Sequence, residues 1–437
     1  MQFKKICVIG LGYIGLPTAS TFAAYGLQVV GVDTNPYVIS TLQNGGIHIC
    51  EPGLRMLVHE AIDSGNLTVR ETPEAADAYI IAVPTPFFDD EQGIYNGQVY
   101  RMADMRSVKS ATESIVPYLK KGNLVVLEST SPPRTTIDLV RPILERSGLK
   151  AGSDFHLAYS PERVLPGQII REMTQNARVI GGIDKPSAEA GKDLYAHFVK
   201  GEIILTDATT AEMVKLMENT SRDINIAIAN EFSRLTQRFG VDIWEAIKIA
   251  NRHPRVKILN PGPGVGGHCI SVDPWFLVEA APDLTELIST ARHVNDSQPQ
   301  FVLDLIRSAL DNDLTGKNIA ALGLTFKPDV DDLRESPAIE VVKLLTQAGA
   351  IVRGFEPNKT DTDIPGVEMT HSLEEAIVDA DLLVLLVGHL EFIKLDPMRL
   401  RELTQTRIAV DTVGGWEIQS WIEAGFKLVR LGVGNYQ

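Results

Sequence analysis

Val8-Ile9-Gly10-Leu11-Gly12-Tyr13-Ile14-Gly15-Leu16-Pro17, followed later by Val29-Val30-Gly31-Val32-Asp33, is the stretch that decides the fold. An apolar run, Ile6 to Ile9, reads as a strand, and the glycines after it open a helix. Gly10 permits the tight turn, Gly12 lets the backbone approach a pyrophosphate, and Gly15 allows close helix–strand packing. Tyr13 and Ile14 complete the loop, and the helix N-terminus adds partial positive charge. Asp33 ends the second strand, where a carboxylate accepts from a ribose 2′-hydroxyl and repels a 2′-phosphate. Thr34-Asn35-Pro36 follow it, with no Arg. The loop therefore calls for NAD in preference to NADP.

Outward from this loop, strand–helix alternation continues. Strands are expected at Ile6–Ile9, Val29–Val32, Tyr79–Val83, Leu124–Leu127, Phe155–Ala158 and Ile203–Leu205, with helices between, which predicts a parallel sheet covered on both faces. The segment 208–239 carries neither Pro nor Gly and is apolar at helical spacing. It predicts one long helix ended by Gly240, followed by a shorter one over 243–251. Alternation restarts at Ile319–Gly323 and continues through Ile351-Val352, Leu382–Val387, Ile408–Val410 and Leu428–Arg430. The fold class is α/β. A Rossmann-type parallel-sheet domain (1–206) precedes a central all-helical domain with one long helix (207–310). Residues 311–317 form a linker, and a smaller Rossmann-like domain (318–437) ends the chain.

Bulk properties narrow the function. A chain of 437 residues is too long for one core. Its net charge of −15, without a basic block, argues against nucleic acid and against an anionic membrane surface. The most apolar run, Leu382 to Val387, is too short to span a bilayer. Three cysteines, Cys7, Cys50 and Cys269, are too few and scattered for a disulfide framework or a zinc site. No signal peptide stands ahead of the first strand, and a cytoplasmic enzyme without a metal is the expectation.

Gly264-Val265-Gly266-Gly267-His268-Cys269-Ile270-Ser271-Val272-Asp273 sets a cysteine in a glycine-rich turn with an acid four residues on. An alcohol loses one hydride to become an aldehyde, but an aldehyde yields a second hydride only after a nucleophile has added. A thiolate suits that step, giving a thiohemiacetal and then a thioester that water releases as a carboxylate. Asp273 could activate that water or hold a partner. The bland alternative is a buried cysteine acting as a small hydrophobe. His268 reads as a structural histidine.

Thr85, in Val83-Pro84-Thr85-Pro86, and Thr130, in Glu128-Ser129-Thr130, each follow a sheet strand. Ligands bind beyond the carboxyl ends of such strands, although a helix-capping hydroxyl explains either residue equally well. Glu212, Lys215, Asn219 and Arg222 share one face of the long helix. A solvated stripe is the common reading of that pattern. The functional one points Lys215 and Asn219 into a site where an ammonium stabilises an oxyanion. Arg252-His253-Pro254-Arg255, Phe326-Lys327 and Arg334 offer cations to a phosphate-bearing ligand, or are surface charge.

Taken in series, these motifs resemble the nucleotide-sugar 6-dehydrogenases, the group that contains UDP-glucose dehydrogenase. Ser160-Pro161-Glu162-Arg163-Val164-Leu165-Pro166-Gly167, Ala211-Glu212-Met213-Val214-Lys215 and Asp332-Leu333-Arg334-Glu335-Ser336-Pro337 extend the likeness over nearly the whole chain. The resemblance implies a four-electron oxidation of carbon six by two NAD, with Cys269 as nucleophile and Lys215 and Asn219 around the oxyanion. It implies that Thr130, Glu162 and Asp273 bind or activate water and substrate. Arg163, Val164, Arg222, Gly266, Phe326, Lys327 and Arg334 would hold the nucleotide-sugar. A homodimer is implied, in which His253 and Arg255 reach the neighbouring subunit's site. Val272 stands where the UDP-glucose enzymes carry Lys, which favours the UDP-N-acetylhexosamine branch, with UDP-N-acetyl-D-mannosamine first and UDP-N-acetyl-D-glucosamine second. Val413 replaces a basic residue usual near the family's C-terminus. A two-electron hydroxyacid dehydrogenase and a silent NAD-binding scaffold are the competing classes.

Overall fold

The protein is described by a computed structural model covering residues 1–49 and 51–434, so Cys50 lies outside the described residues. It forms two compact units: Met1–Glu218 with Trp275–Leu284, and Asn219–Pro274 with Thr285–Gln437.

In the first unit an eight-stranded sheet has the spatial order Ile203–Asp207, Arg178–Gly182, His156–Tyr159, Leu124–Leu127, Ala78–Ile81, Lys5–Ile9, Gln28–Val32, Leu67–Arg70. Leu124–Leu127 and Ala78–Ile81 are buried at every residue. Layers on both faces explain their unbroken apolar runs. Side chains alternate between two cores. Ile6 and Val8 point into one, with Phe22, Val126 and Tyr195, while Cys7 and Ile9 point into the other, with Tyr79, Val125 and Tyr159. The order reverses between Lys5–Ile9 and Ala78–Ile81, the switch point at which doubly wound sheets hold ligands.

The sequence reading expected a wholly parallel sheet and did not anticipate the strands Leu67–Arg70 and Arg178–Gly182, nor a second, two-stranded ribbon. His156–Tyr159 pairs antiparallel with Arg178–Gly182, so the last two strands run against the other six. Phe87–Tyr95 and Gln98–Ala103 form a separate two-stranded ribbon. Its turn residues Asn96 and Gly97 both have positive φ, as a tight hairpin demands.

In the second unit six parallel strands take the order Val367–Met369, Ile351–Phe355, Asn318–Leu322, Leu382–Leu385, Ile408–Asp411, Lys427–Arg430. This is a second doubly wound sheet, again switching beside its first strand. The long helix spans Ala208–Phe239, as the absence of Pro and Gly anticipates. No helix among the described residues is long and apolar enough to cross a membrane.

One buried ion pair anchors the helices of the second unit. Arg292 is 1% exposed and donates to Asp223 at 2.5 Å and to Asp296. Asn295 donates to the same Asp223 oxygen at 2.8 Å. Removing Asp223 strands a guanidinium away from water, so Asp223→Ala should cost about 3–5 kcal/mol. Asp296 is 40% exposed, and Asp296→Ala should cost less than about 1 kcal/mol. Melting curves of the two variants check this ordering, and equal losses would refute it.

Candidate active site

In the first unit the glycine loop has the geometry a pyrophosphate needs. A β-carbon on Gly15 would lie 1.8 Å from the Gly10 carbonyl oxygen, and one on Gly10 would lie 2.5 Å from that of Ala82. Gly10 also has a φ of +92°. A β-carbon on Gly12 would meet nothing within 4 Å, so this glycine leaves open space where a ligand would approach. Ile14 sits at the N-cap of the helix Gly15–Ala24, and Tyr13 packs against the core. Asp33 lies at the end of the second strand, half-buried. Its carboxylate accepts from Leu11 N at 2.9 Å and from Asn35 N at 2.9 Å. His48 Nε2 bonds the Leu11 carbonyl at 2.9 Å and ties down the other side of the loop. These residues fit NAD: an open backbone cradle leads to an acid on the next strand.

The loops beyond the neighbouring strands are joined to each other. Thr85 donates to the Thr130 carbonyl at 2.7 Å, and Ser129 donates to the Val83 carbonyl at 2.7 Å. Both sequence-derived hydroxyls therefore lie at the carboxyl edge of the sheet. The loop after His156–Tyr159 is held by two carboxylates, one distant in sequence and one local. Glu51 accepts from Gly167 N and Ile169 N, both at 2.8 Å, and Glu172 accepts from Leu165 N at 2.8 Å. Within this loop Val164 packs on the core, and Arg163 pairs with Glu218 at 3.1 Å.

Glu162 belongs to a buried cluster of charge. Arg178 donates from Nη1 to Glu162 at 3.0 Å, from Nη2 to Glu128, and from Nε to Ser160 at 2.9 Å. Tyr195 and Thr18 also donate to Glu128, at 2.9 and 3.3 Å. The Arg178 guanidinium stacks 3.9 Å over the Tyr195 ring. Burial, with the nearby Glu162 carboxylate, pushes Glu128 up to about 7 even though Arg178 opposes the rise. Burial and the Glu128 charge likewise push Tyr195 well above the usual phenol range.

Glu212 departs from the solvated-stripe reading. It is fully buried and accepts from Thr136 N at 2.8 Å, Thr136 Oγ1 at 2.6 Å and Arg134 N at 2.5 Å. Lys215 on the same helix is 7% exposed.

In the second unit Cys269, Asp273 and Asn219 come together. Asp273 N donates to the Cys269 carbonyl at 2.8 Å, so thiol and acid are one helical turn apart. Asn219 Nδ2 donates to Asp273 Oδ2 at 2.5 Å. Asp273 is 1% exposed, while Cys269 is half-buried. Full burial pushes the Cys7 thiol up to about 12 and leaves it inert.

The glycines of the thiol loop serve a close approach to the loop that carries Arg334. A β-carbon on Gly266 would lie 2.5 Å from the Glu335 carbonyl oxygen, and one on Gly267 would lie 2.8 Å from the Phe326 ring. Gly267 N donates to the Arg334 carbonyl at 3.1 Å. Lys327 is half-buried, and its carbonyl accepts from Thr325 at 3.0 Å.

Sequence reading missed His389 beneath this loop. Its Nδ1 accepts from Asp329 N at 2.9 Å and from Asn358 Nδ2 at 3.0 Å, so Nε2 carries the proton and donates to Glu356 at 3.0 Å. Glu356 ends its strand as Asp33 does but is 1% exposed, and it caps Leu324 N and Thr325 N. Arg222, His253 and Arg255 are exposed.

Three domain models of the UDP-glucose/GDP-mannose dehydrogenase family match in order: the NAD binding domain at residues 4–199, the central domain at 209–297 and the UDP binding domain at 320–417. The chain is 47% identical to UDP-N-acetyl-D-mannosamine dehydrogenase of Methanococcus maripaludis, covering 100% of this chain and 98% of that protein. It is 48% identical to NDP-N-acetyl-D-galactosaminuronic acid dehydrogenase of Ralstonia nicotianae, over 95% and 97%. Among solved structures, a UDP-D-ManNAc dehydrogenase from Pyrococcus horikoshii superposes with a TM-score of 0.90 at 38% identity, covering 99% of this chain and 100% of the other. The chain belongs to the UDP-glucose/GDP-mannose dehydrogenase family.

Proposed function

We propose that this NAD-dependent dehydrogenase oxidises carbon six of UDP-N-acetyl-D-mannosamine to the carboxylate, taking four electrons per sugar. The observation that carries the reading is the joined set of Cys269, Asp273 and Asn219 in a loop seated against the Phe326–Arg334 segment. Bound NAD would supply the hydride acceptor, held by Gly10, Gly12, Tyr13, Ile14, Gly15, Asp33, Thr85 and Thr130. The rest of the chemistry falls to side chains. The Cys269 thiolate adds to the aldehyde carbon, and the new oxyanion is met by the Lys215 ammonium and the Asn219 amide. Loss of the second hydride leaves a thioester on Cys269. Water attacks it, expels the thiolate and yields the carboxylate. Asp273 accepts from Asn219 and so fixes the amide that faces the oxyanion. Thr130 and Glu162 serve the water and the sugar.

Arg163, Val164, Arg222, Gly266, Phe326, Lys327 and Arg334 hold the nucleotide-sugar in this reading, and the UDP binding domain match supports that role for the C-terminal residues. The relatives named for N-acetyl-D-mannosamine favour that sugar. The Ralstonia relative gives an N-acetylgalactosamine-type sugar second standing. UDP-N-acetyl-D-glucosamine remains the epimeric competitor. A homodimer is also proposed, with His253 and Arg255 serving the neighbouring site. Ile228, Phe232, Leu235 and Phe239 support it, because they form an exposed apolar stripe at helical spacing, with Phe239 72% exposed.

Incubation with NAD and a panel of UDP-N-acetylhexosamines should yield two NADH per sugar consumed. One NADH per sugar would point to a two-electron enzyme. Cys269→Ala should stall before the carboxylate, and a full rate of acid formation would refute the thioester route. NADP should support less than about 1% of the NAD rate at equal concentration, since Asp33 repels a 2′-phosphate. Light scattering should give a dimer mass for the wild type and a monomer for Phe232→Glu/Leu235→Glu.

A further inference from the structure

We propose that Arg178 is a positioning residue for Glu162: it fixes the carboxylate that serves the sugar and the water, and Ser160 and Glu128 hold the guanidinium in place. The inference rests on the role given to Glu162 above.

The geometry begins with strand direction. The antiparallel register pairs Ala158 with Gly182 and Tyr159 with Gly181. Continued outward, that register brings Arg178, at the start of its strand, to the level of Glu162 in the loop beyond the neighbouring strand. The guanidinium then divides its donors among three acceptors: Glu162 at 3.0 Å, Ser160 at 2.9 Å, and Glu128. Glu162 has its second oxygen on Arg163 N at 2.7 Å, so both of its oxygens are fixed. Arg178 is 5% exposed and Glu162 is 9% exposed.

Three titratable groups face the guanidinium, each from a different element. Glu128 follows the strand Leu124–Leu127, Glu162 lies beyond His156–Tyr159, and Tyr195 comes from the helix Lys185–Tyr195. One cation faces two carboxylates. The Glu128 side chain is fully buried, and burial raises it to about 7 against the pull of the guanidinium. A planar fork can hold these acceptors at fixed angles, and an ammonium cannot.

The test is a double-mutant cycle on the full-length enzyme with NAD and UDP-N-acetyl-D-mannosamine. Arg178→Gln should lower kcat on the order of 10²-fold while the affinity for NAD changes less than about twofold. Arg178→Lys should recover part of the loss. In a Glu162→Gln background the same Arg178→Gln change should have little further effect, because the residue it positions is already altered. Ser160→Ala removes one acceptor of the guanidinium without altering charge. It carries the cycle if Arg178→Gln does not fold, with a smaller loss that likewise vanishes beside Glu162→Gln. Losses that multiply independently in either cycle would overturn the inference. A wild type that oxidises none of the UDP-sugars would instead overturn the functional reading, so the two failures are distinguishable.

Discussion

Close approach to a glycine backbone, with no room for a β-carbon, is the constraint on which both units depend. In the first, Gly15 closes on the Gly10 carbonyl and Gly10 closes on Ala82. The helix can then begin directly beyond the first strand, with its N-terminal amides at the ligand edge. In the second, Gly266 and Gly267 close on Glu335 and Phe326, which draws the cysteine loop onto the segment bearing Lys327 and Arg334. The same device serves two purposes. One contact shapes the open backbone of the glycine loop, and the other brings Cys269 beside a loop that carries Lys327 and Arg334.

What was legible in the sequence was local. The glycine loop with its acid, the 32-residue helix and the alternation of both sheets each depend on residues close together in the chain. Their periodicity and turn chemistry survive without knowledge of the partner. The nearness of Asp273 to Cys269 in the chain was legible too, while the backbone bond that sets them one turn apart was not.

What was not legible depends on contacts between distant residues. Glu212 and Arg222 are equally polar in a helical pattern, yet one caps a buried turn at Thr136 and the other faces solvent. Nothing near Glu212 in sequence announces the amides of a segment far upstream. Glu51 is likewise tied to Gly167, and Glu356 to His389, by contacts that no local pattern announces. The ribbon from Phe87 to Ala103 was missed because its first strand, Phe87–Tyr95, has several polar residues in a row and lacks strict alternation. Val367–Met369 is three residues long, too short to show any period.

The reversed direction of Arg178–Gly182 has a consequence for tolerance to insertion and deletion. Successive side chains of a strand face opposite sides of the sheet, so a slip of a single position would turn the guanidinium from one layer into the other. The turn that feeds this strand, through Asn176 and Ala177, therefore has a length fixed as tightly as the identity of the arginine itself. Conservative substitutions there leave the alignment intact, whereas the gain or loss of one residue would carry the cation to the wrong face.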